Sequence, residues 1–184
     1  MYCFIYSIDK ATSLIWTESK ERVGIVEKVM NDGSIGSTFN EGHLTVESED
    51  AYCIDINTDF KNGYKTRADA SSRMSIDQIS DVALSIEYVK QYTDSHSGIS
   101  KNHAYLLRQL VVWQRLSVHL GWQCDNVRAS YDEIPKATQD EVFSGARAFV
   151  RKDTVCCTSD RVISVTVCNA GITGSLFKFR ISDI

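Results

Sequence analysis

Apolar and polar positions alternate with a period of two along the first third of the chain, in short runs separated by turns. Tyr2 to Ile8, Leu14 to Thr17, Val23 to Met30 and His43 to Ile56 read as strands. Asn31-Asp32-Gly33 is a strong turn signal between two of them, because Asp-Gly readily supplies positive φ. At about Ser75 the period changes. Ile76, Ile79, Val82, Ala83, Ile86 and Val89 recur at helical spacing behind a Ser75/Gln78 capping-box pattern, which predicts a helix of about four turns. Thr93 to Ser100 is polar and contains Gly98, so it reads as a loop. Ser100 then caps a second helix running to about Leu120, where Gly121 stops it. Thr138 with Glu141 repeats the capping signature ahead of Val142, Ala146, Phe149 and Val150 and predicts a third, shorter helix.

Period two returns at the end. Ile163, Val165 and Val167 alternate with polar neighbours, Gly171 to Gly174 turns the chain, and Phe177, Phe179 and Ile181 alternate with Lys178 and Arg180, the pattern of a hairpin. Strands at both ends around a helical middle predict an α+β fold: an antiparallel, sandwich or barrel-like sheet carrying an inserted helical lobe. A chain of 184 residues supports one core. The expected organisation is a single domain over 1–184, with the sheet from 1–60 and 153–184 and the helical lobe over about 66–152.

Two positions break their local pattern. Tyr105, Leu106, Val112, Trp113, Leu116 and Leu120 fall on one face of the second helix, and Gln109 lies in the middle of that face. Burying an amide without partners costs about 1–3 kcal/mol, so either hydrogen bonds satisfy it or its carbonyl carbon has been consumed in a bond. In the strand around Cys53, apolar Tyr52, Ile54 and Ile56 take one face. Cys53, Asp55 and Asn57 take the other, so the thiol is off the obvious core face and needs a cover, for which a helix of the lobe is the natural candidate. A strand cysteine is usually a small buried hydrophobe and a helix glutamine is usually satisfied locally; together they form a testable pair.

Composition narrows the partners. A formal charge of −4 from interspersed acids and bases, with no basic run, excludes tracking of a phosphate backbone. The longest apolar stretches, such as Leu110 to Trp113, are far short of a membrane span, and Met1 to Tyr6 lacks the basic region and cleavage site of a secretion signal. If the protein is exported, its signals are expected outside this chain. The six cysteines (Cys3, Cys53, Cys124, Cys156, Cys157, Cys168) show no zinc-ligand spacing, so no metal and no cofactor are expected, while disulfides stay open with their connectivity unassigned.

Tyr52-Cys53-Ile54-Asp55 and Arg108-Gln109-Leu110-Val111-Val112-Trp113 resemble, in that order, the two motifs of the thioester domains of Gram-positive surface adhesins and pilus-tip proteins: an aromatic-Cys-Ile/Val-Asp-like strand and a Thr-Gln-x-Ala-Ile/Val-Trp helix. Gln109, Val112 and Trp113 are in register, whereas Arg108 stands where Thr is usual and Val111 where Ala is usual. The Lys61-Asn62-Gly63-Tyr64 turn and the approach from Ser100 to Tyr105 also look like the family's intervening segment, so the resemblance covers about Tyr52 to Trp122. It implies a Cys53–Gln109 thioester formed with loss of ammonia. A lysine amine of a host surface or matrix protein then attacks the activated acyl group, giving an amide and freeing the thiol. It further implies a single-turnover adhesin rather than an enzyme, on the cell wall or pilus tip, with neither nucleic acid nor membrane insertion involved.

As helpers, Asp55 and His103 are the candidates to orient groups at the thioester, with Tyr52 and Trp113 as walls; His43 and His119 read as surface or sheet residues. Two other readings compete. One is a cysteine hydrolase or transferase with Cys53 as nucleophile and His103 or His119 as base, and the other is a non-covalent protein-binding module in which Cys53 and Gln109 are merely neighbours.

Overall fold

β1 (Ser13–Val29) organises the sheet. Along one edge it pairs antiparallel with β2 (Ile35–Val46). Its other edge is shared, with β5 (Gly63–Ala68) against Ser13 to Trp16 and β6 (Val127–Ala129) against Val26 to Lys28. The computed structural model describes residues 13–46, 48–54, 56, 63–68, 75–120, 126–155, 161–169 and 175–183. The expected strand at 2–8, the turn at 171–174, Asp55, Asn57, Cys3, Cys124, Cys156 and Cys157 lie outside these residues.

Leu14 to Thr17 and Val23 to Val29 are not separate strands, as the sequence predicts, but parts of β1, which ends one residue before Met30. The polar stretch between them is absorbed by register shifts at Glu18/Arg22 and Arg22/Gly24, irregularities that bend and twist a strand rather than end it. The Asn31-Asp32-Gly33 turn forms as expected: Gly33 has φ 85° and donates to Met30 O, and the Asp32 carboxylate accepts from the Ser34 N–H (2.9 Å) and hydroxyl (2.6 Å). β2 starts earlier than expected, at Ile35, because pairing with β1 recruits Gly36 to Asn40, which carry little apolar signal of their own.

The predicted strand from His43 to Ile56 is broken into three. β2 ends at Val46, Ser48 adopts φ 69°, and β3 (Glu49–Asp50) and β4 (Tyr52–Cys53) follow. β3 pairs with β2, whereas β4 pairs with β8 (Ser175–Asp183) at the other end of the order β3-β2-β1-β5-β7-β8-β4. Ala51 alone therefore links the two extremes of the eight-stranded sheet, which must curl to bring them together. β7 (Arg161–Asn169) and β8 form the expected C-terminal hairpin. Among the described residues every pairing is antiparallel and three helices accompany the sheet, so the fold is α+β. Gly63 and Tyr64, expected in a turn, open β5; and β6 returns the chain to the sheet between two helices, within the span expected as the helical lobe. Three residues of β6 are too few to show a period.

α1 (Ile76–Ser95) carries both halves of the Ser75/Gln78 capping box and runs past the predicted four turns, because Lys90 to Asp94 contain no helix breaker. α2 (Lys101–Leu120) is capped by Ser100, whose hydroxyl accepts the His103 N–H at 3.1 Å. α3 (Lys136–Val155) begins before the predicted Thr138 cap: Pro135 supplies the first carbonyl, to Gln139 N, and its fixed φ favours the start of a helix. It is as long as the other two, not shorter.

α2 is the centre of the core. Beyond the predicted stripe, Leu107, Leu110 and Val111 are also buried, so the helix is enclosed on nearly all sides by the sheet and α1. Between Tyr105 and Leu116 all residues but Arg108, Gln114 and Arg115 are buried, as befits a helix in a core. Arg115 clamps it to α1 with a two-pronged contact to the buried Asp81 carboxylate, its Nε at 2.8 Å from Oδ1.

Candidate functional site at the contact of α2 with Cys53

β4 has only two residues, and one of its edges is occupied by β8. On its other side stands the fully buried side chain of Gln109. The Gln109 Oε1 accepts the Cys53 N–H at 2.8 Å and its Nε2 donates to Cys53 O at 2.7 Å. The amide takes the place of a neighbouring strand. The burial that the sequence flagged as anomalous is thus satisfied at both polar atoms, and α2 is the cover expected over the cysteine. Cys53 is half-buried, packs against the core and is in no disulfide.

The same device occurs a second time. Gln139 of α3 is buried, its Oε1 accepts the Ala129 N–H at 3.0 Å, and its Nε2 donates to Ala129 O at 3.0 Å and to Ile134 O at 2.7 Å. Two helices are therefore docked to two short strands by a glutamine amide, and only one of those strands offers a thiol at the docked residue.

Residues to which the sequence assigned no role at the site hold the segment before Cys53. The buried Tyr105 hydroxyl, one turn before Gln109, donates to Ala51 O at 2.7 Å and accepts the Leu44 N–H at 3.1 Å. Burial holds this phenol well above its ordinary pKa, so it stays a hydrogen-bond donor. Arg108 reaches Asp50 at 3.0 Å, and the other oxygen of that carboxylate meets His43 Nε2 at 2.7 Å. The His43 ring lies 4.2 Å from that of Tyr105, centre to centre, so His43, a sheet residue of β2 as expected, also joins this network. Asp50, His43 and Tyr105 give no motif signal, because their meeting depends on the β3–β4 crossover. Tyr105 was legible only as a core residue.

Tyr52 stacks on Tyr105 with ring centres 5.4 Å apart, and Trp113, one turn after Gln109, meets Phe39 edge-on at 6.2 Å. Both are buried beside the site. Among the described residues the Trp113 indole N–H and the Arg108 Nε–H have no hydrogen-bond partner. His103 sits in the first turn of α2, its backbone on the Ser100 cap, and none of the described hydrogen bonds joins its ring to Cys53 or Gln109. The backbone of His119 and that of Cys168 are described, in α2 and β7, but not their side chains. Among the described residues no cluster of His, Cys, Asp and Glu could hold a metal ion, and no helix is long and apolar enough to cross a membrane.

No family model matches the chain, and no curated protein matches it. Among solved structures, the thioester domain of the Staphylococcus aureus TIE protein is similar at 10% identity and a TM-score of 0.46, over 89% of this chain and 90% of that one.

Proposed function

We propose that the chain is a covalent attachment domain in which Cys53 and Gln109 form an internal thioester. The observation that supports this most is the Gln109 amide fixed by two hydrogen bonds against the backbone of the one residue that carries the thiol. Holding an acyl group beside a nucleophile replaces a bimolecular encounter with an intramolecular one. In the forming step the Cys53 sulfur bonds to the Gln109 side-chain carbonyl carbon, the C–N bond breaks, and the thiol proton leaves with the amide nitrogen as ammonia. In the attachment step an amine nitrogen, such as that of a lysine on a host protein, bonds to the same carbon; the C–S bond breaks and the amine's proton returns to sulfur. Each molecule reacts once, so the domain is an adhesin and not a catalyst. Its place on this reading is the cell wall or pilus tip of a Gram-positive bacterium, where a bond to the host survives mechanical load.

Intact mass tests the reading. The protein should be one ammonia lighter than its sequence, with Cys53→Ala or Gln109→Ala restoring the full mass. Iodoacetamide should label Cys53 only after amine treatment, whereas the free nucleophile of a cysteine hydrolase would label at once.

A second reading is favoured by the Gln139–Ala129 pair, which shows the same docking where no thiol exists. Ammonia loss at Gln109 would also strip the Cys53 carbonyl of its donor, at a cost of about 1–3 kcal/mol if nothing replaces it. On this reading Gln109 is a structural lock and the domain binds a protein partner without a covalent bond. A full, unreduced mass for fresh protein at neutral pH decides for it.

A further inference from the structure

We propose that Tyr105 and the Arg108–Asp50 pair are positioning residues that set where Cys53 lies relative to the Gln109 amide, an inference that rests on the thioester reading for its chemical consequence. The crossover from β3 to β4 leaves one sheet edge at Asp50 and joins the other at Tyr52, with only Ala51 between. Strands of two residues make too few ladder bonds to fix their own position. α2 grips this segment at three successive points: Arg108 on the Asp50 carboxylate, the Tyr105 hydroxyl on Ala51 O, and Gln109 on both backbone groups of Cys53. Tyr105, Arg108 and Gln109 share one side of the helix by their three- and four-residue spacing. A rigid helix thereby carries both the acyl donor and the two groups that fix the thiol-bearing strand, so the separation of the reacting atoms is set within one element. His43 completes the arrangement by taking the second oxygen of Asp50, which keeps that carboxylate facing Arg108. Displacements of about 1 Å at a reacting pair can change a rate a hundredfold, so this grip governs reactivity as well as folding.

The test uses Tyr105→Phe, which removes only the hydroxyl, and Arg108→Met, with Gln139→Leu as a control that loosens the other glutamine lock. Two quantities are measured at neutral pH: the fraction of protein lacking ammonia by intact mass, and hydrogen exchange at Cys53 N–H relative to Ala129 N–H. Both amides are bonded to a glutamine carbonyl, so the second serves as an internal reference. Tyr105→Phe and Arg108→Met should each lower the thioester fraction at least threefold and speed Cys53 exchange about tenfold more than Ala129 exchange. Gln139→Leu should do the reverse for exchange and leave the thioester fraction as in wild type. Equal acceleration at both amides in Tyr105→Phe would mean a general loss of stability and overturn the proposal, as would an unchanged thioester fraction in a protein whose wild type carries the bond. If the wild type itself has its full mass, the thioester reading fails. Positioning is then decided by the exchange ratio alone, with unchanged Cys53 exchange overturning it.

Discussion

The side chain of Gln109 bonds to both main-chain groups of Cys53, Oε1 to the N–H and Nε2 to the carbonyl. Stability and chemistry at this site should therefore separate. Cys53→Ala removes the thiol and keeps both hydrogen bonds, so its urea midpoint should lie close to that of wild-type protein held in the amide form. Gln109→Leu leaves a buried N–H and C=O unsatisfied and should destabilise by about 1–3 kcal/mol or more. Both substitutions abolish ammonia loss. Equal unfolding midpoints for the two variants would show that the docking seen here contributes nothing.

Gln139 gives the matching experiment without a nucleophile. Its amide serves three backbone groups of β6 and of the turn leading to α3, so Gln139→Leu should destabilise by at least as much as Gln109→Leu. Ammonia loss at Gln109 should be unaffected, because the Gln139 bonds are made to Ala129 and Ile134 and not to Cys53, although α2 also reaches β6 through Gln114. A Gln139→Leu protein that keeps its stability but loses the thioester would contradict this division.

Between α1 and α2 the charged pair Arg115–Asp81 is largely screened from water, with the Asp81 side chain 8% and the Arg115 side chain 17% exposed. Breaking such a pair leaves one buried charge alone and costs about 3–5 kcal/mol, whereas replacing both partners is much milder. Asp81→Asn and Arg115→Met should each lower the unfolding free energy strongly, and the double variant should be more stable than either alone. Additive losses in that double-mutant cycle would show the two residues acting independently.

How far these sites were legible follows from their length and range. Ser75/Gln78, Ser100 and Asn31-Asp32-Gly33 act within four residues, and each forms as read. The docking of a lobe helix over Cys53 followed from two residues whose polarity contradicted their neighbours. Neither β6 nor the split of 43–56 into three strands could be read, because short strands take their register from partners remote in sequence, β1 for Val127–Ala129 and β8 for Tyr52–Cys53. The Tyr105–Ala51 and Arg108–Asp50 contacts were hidden for the same reason. Gln139 was passed over because it sat beside Thr138 in what read as a helix cap, whereas the helix starts earlier and turns its side chain inward.

Close approach between α3 and α1 depends on Gly145, where a Cβ would collide with the Tyr88 ring. Gly24 of β1 is as confined, with an added Cβ falling against Leu106 and 2.8 Å from the Glu133 carboxylate that accepts the Ile25 N–H. An alanine at a free helical site stabilises by up to about 1 kcal/mol, so the sign of Gly145→Ala is informative. It should be destabilising, and Tyr88→Phe should relieve part of the loss by shortening the side chain at the point of contact. A stabilised Gly145→Ala protein would mean that the two helices separate without penalty.

High pH should unfold the protein through its tyrosines. Burial raises the Tyr105 and Tyr52 phenols above the ordinary value of about 10, and burial with the Glu141 hydrogen bond raises Tyr92 to about 12. In the unfolded chain these phenols ionise near pH 10 while the folded protein keeps them neutral. Their contribution is therefore fully present below about pH 10 and falls as pH rises through the folded values, by up to about 1.4 kcal/mol per pH unit for each of the buried Tyr105 and Tyr52 and by less for the more exposed Tyr92. Urea midpoints measured in a Cys53→Ala background, which avoids alkaline hydrolysis of a thioester, should be flat from pH 7 to 9 and drop between 10 and 12. Tyr105→Phe should be less stable at pH 7, since Ala51 O and Leu44 N–H lose their partner, yet show a shallower fall at high pH because one titrating group is gone. The two stability curves should converge as pH rises. Parallel curves would mean that Tyr105 ionises as readily in the fold as outside it, which its complete burial and two hydrogen bonds argue against.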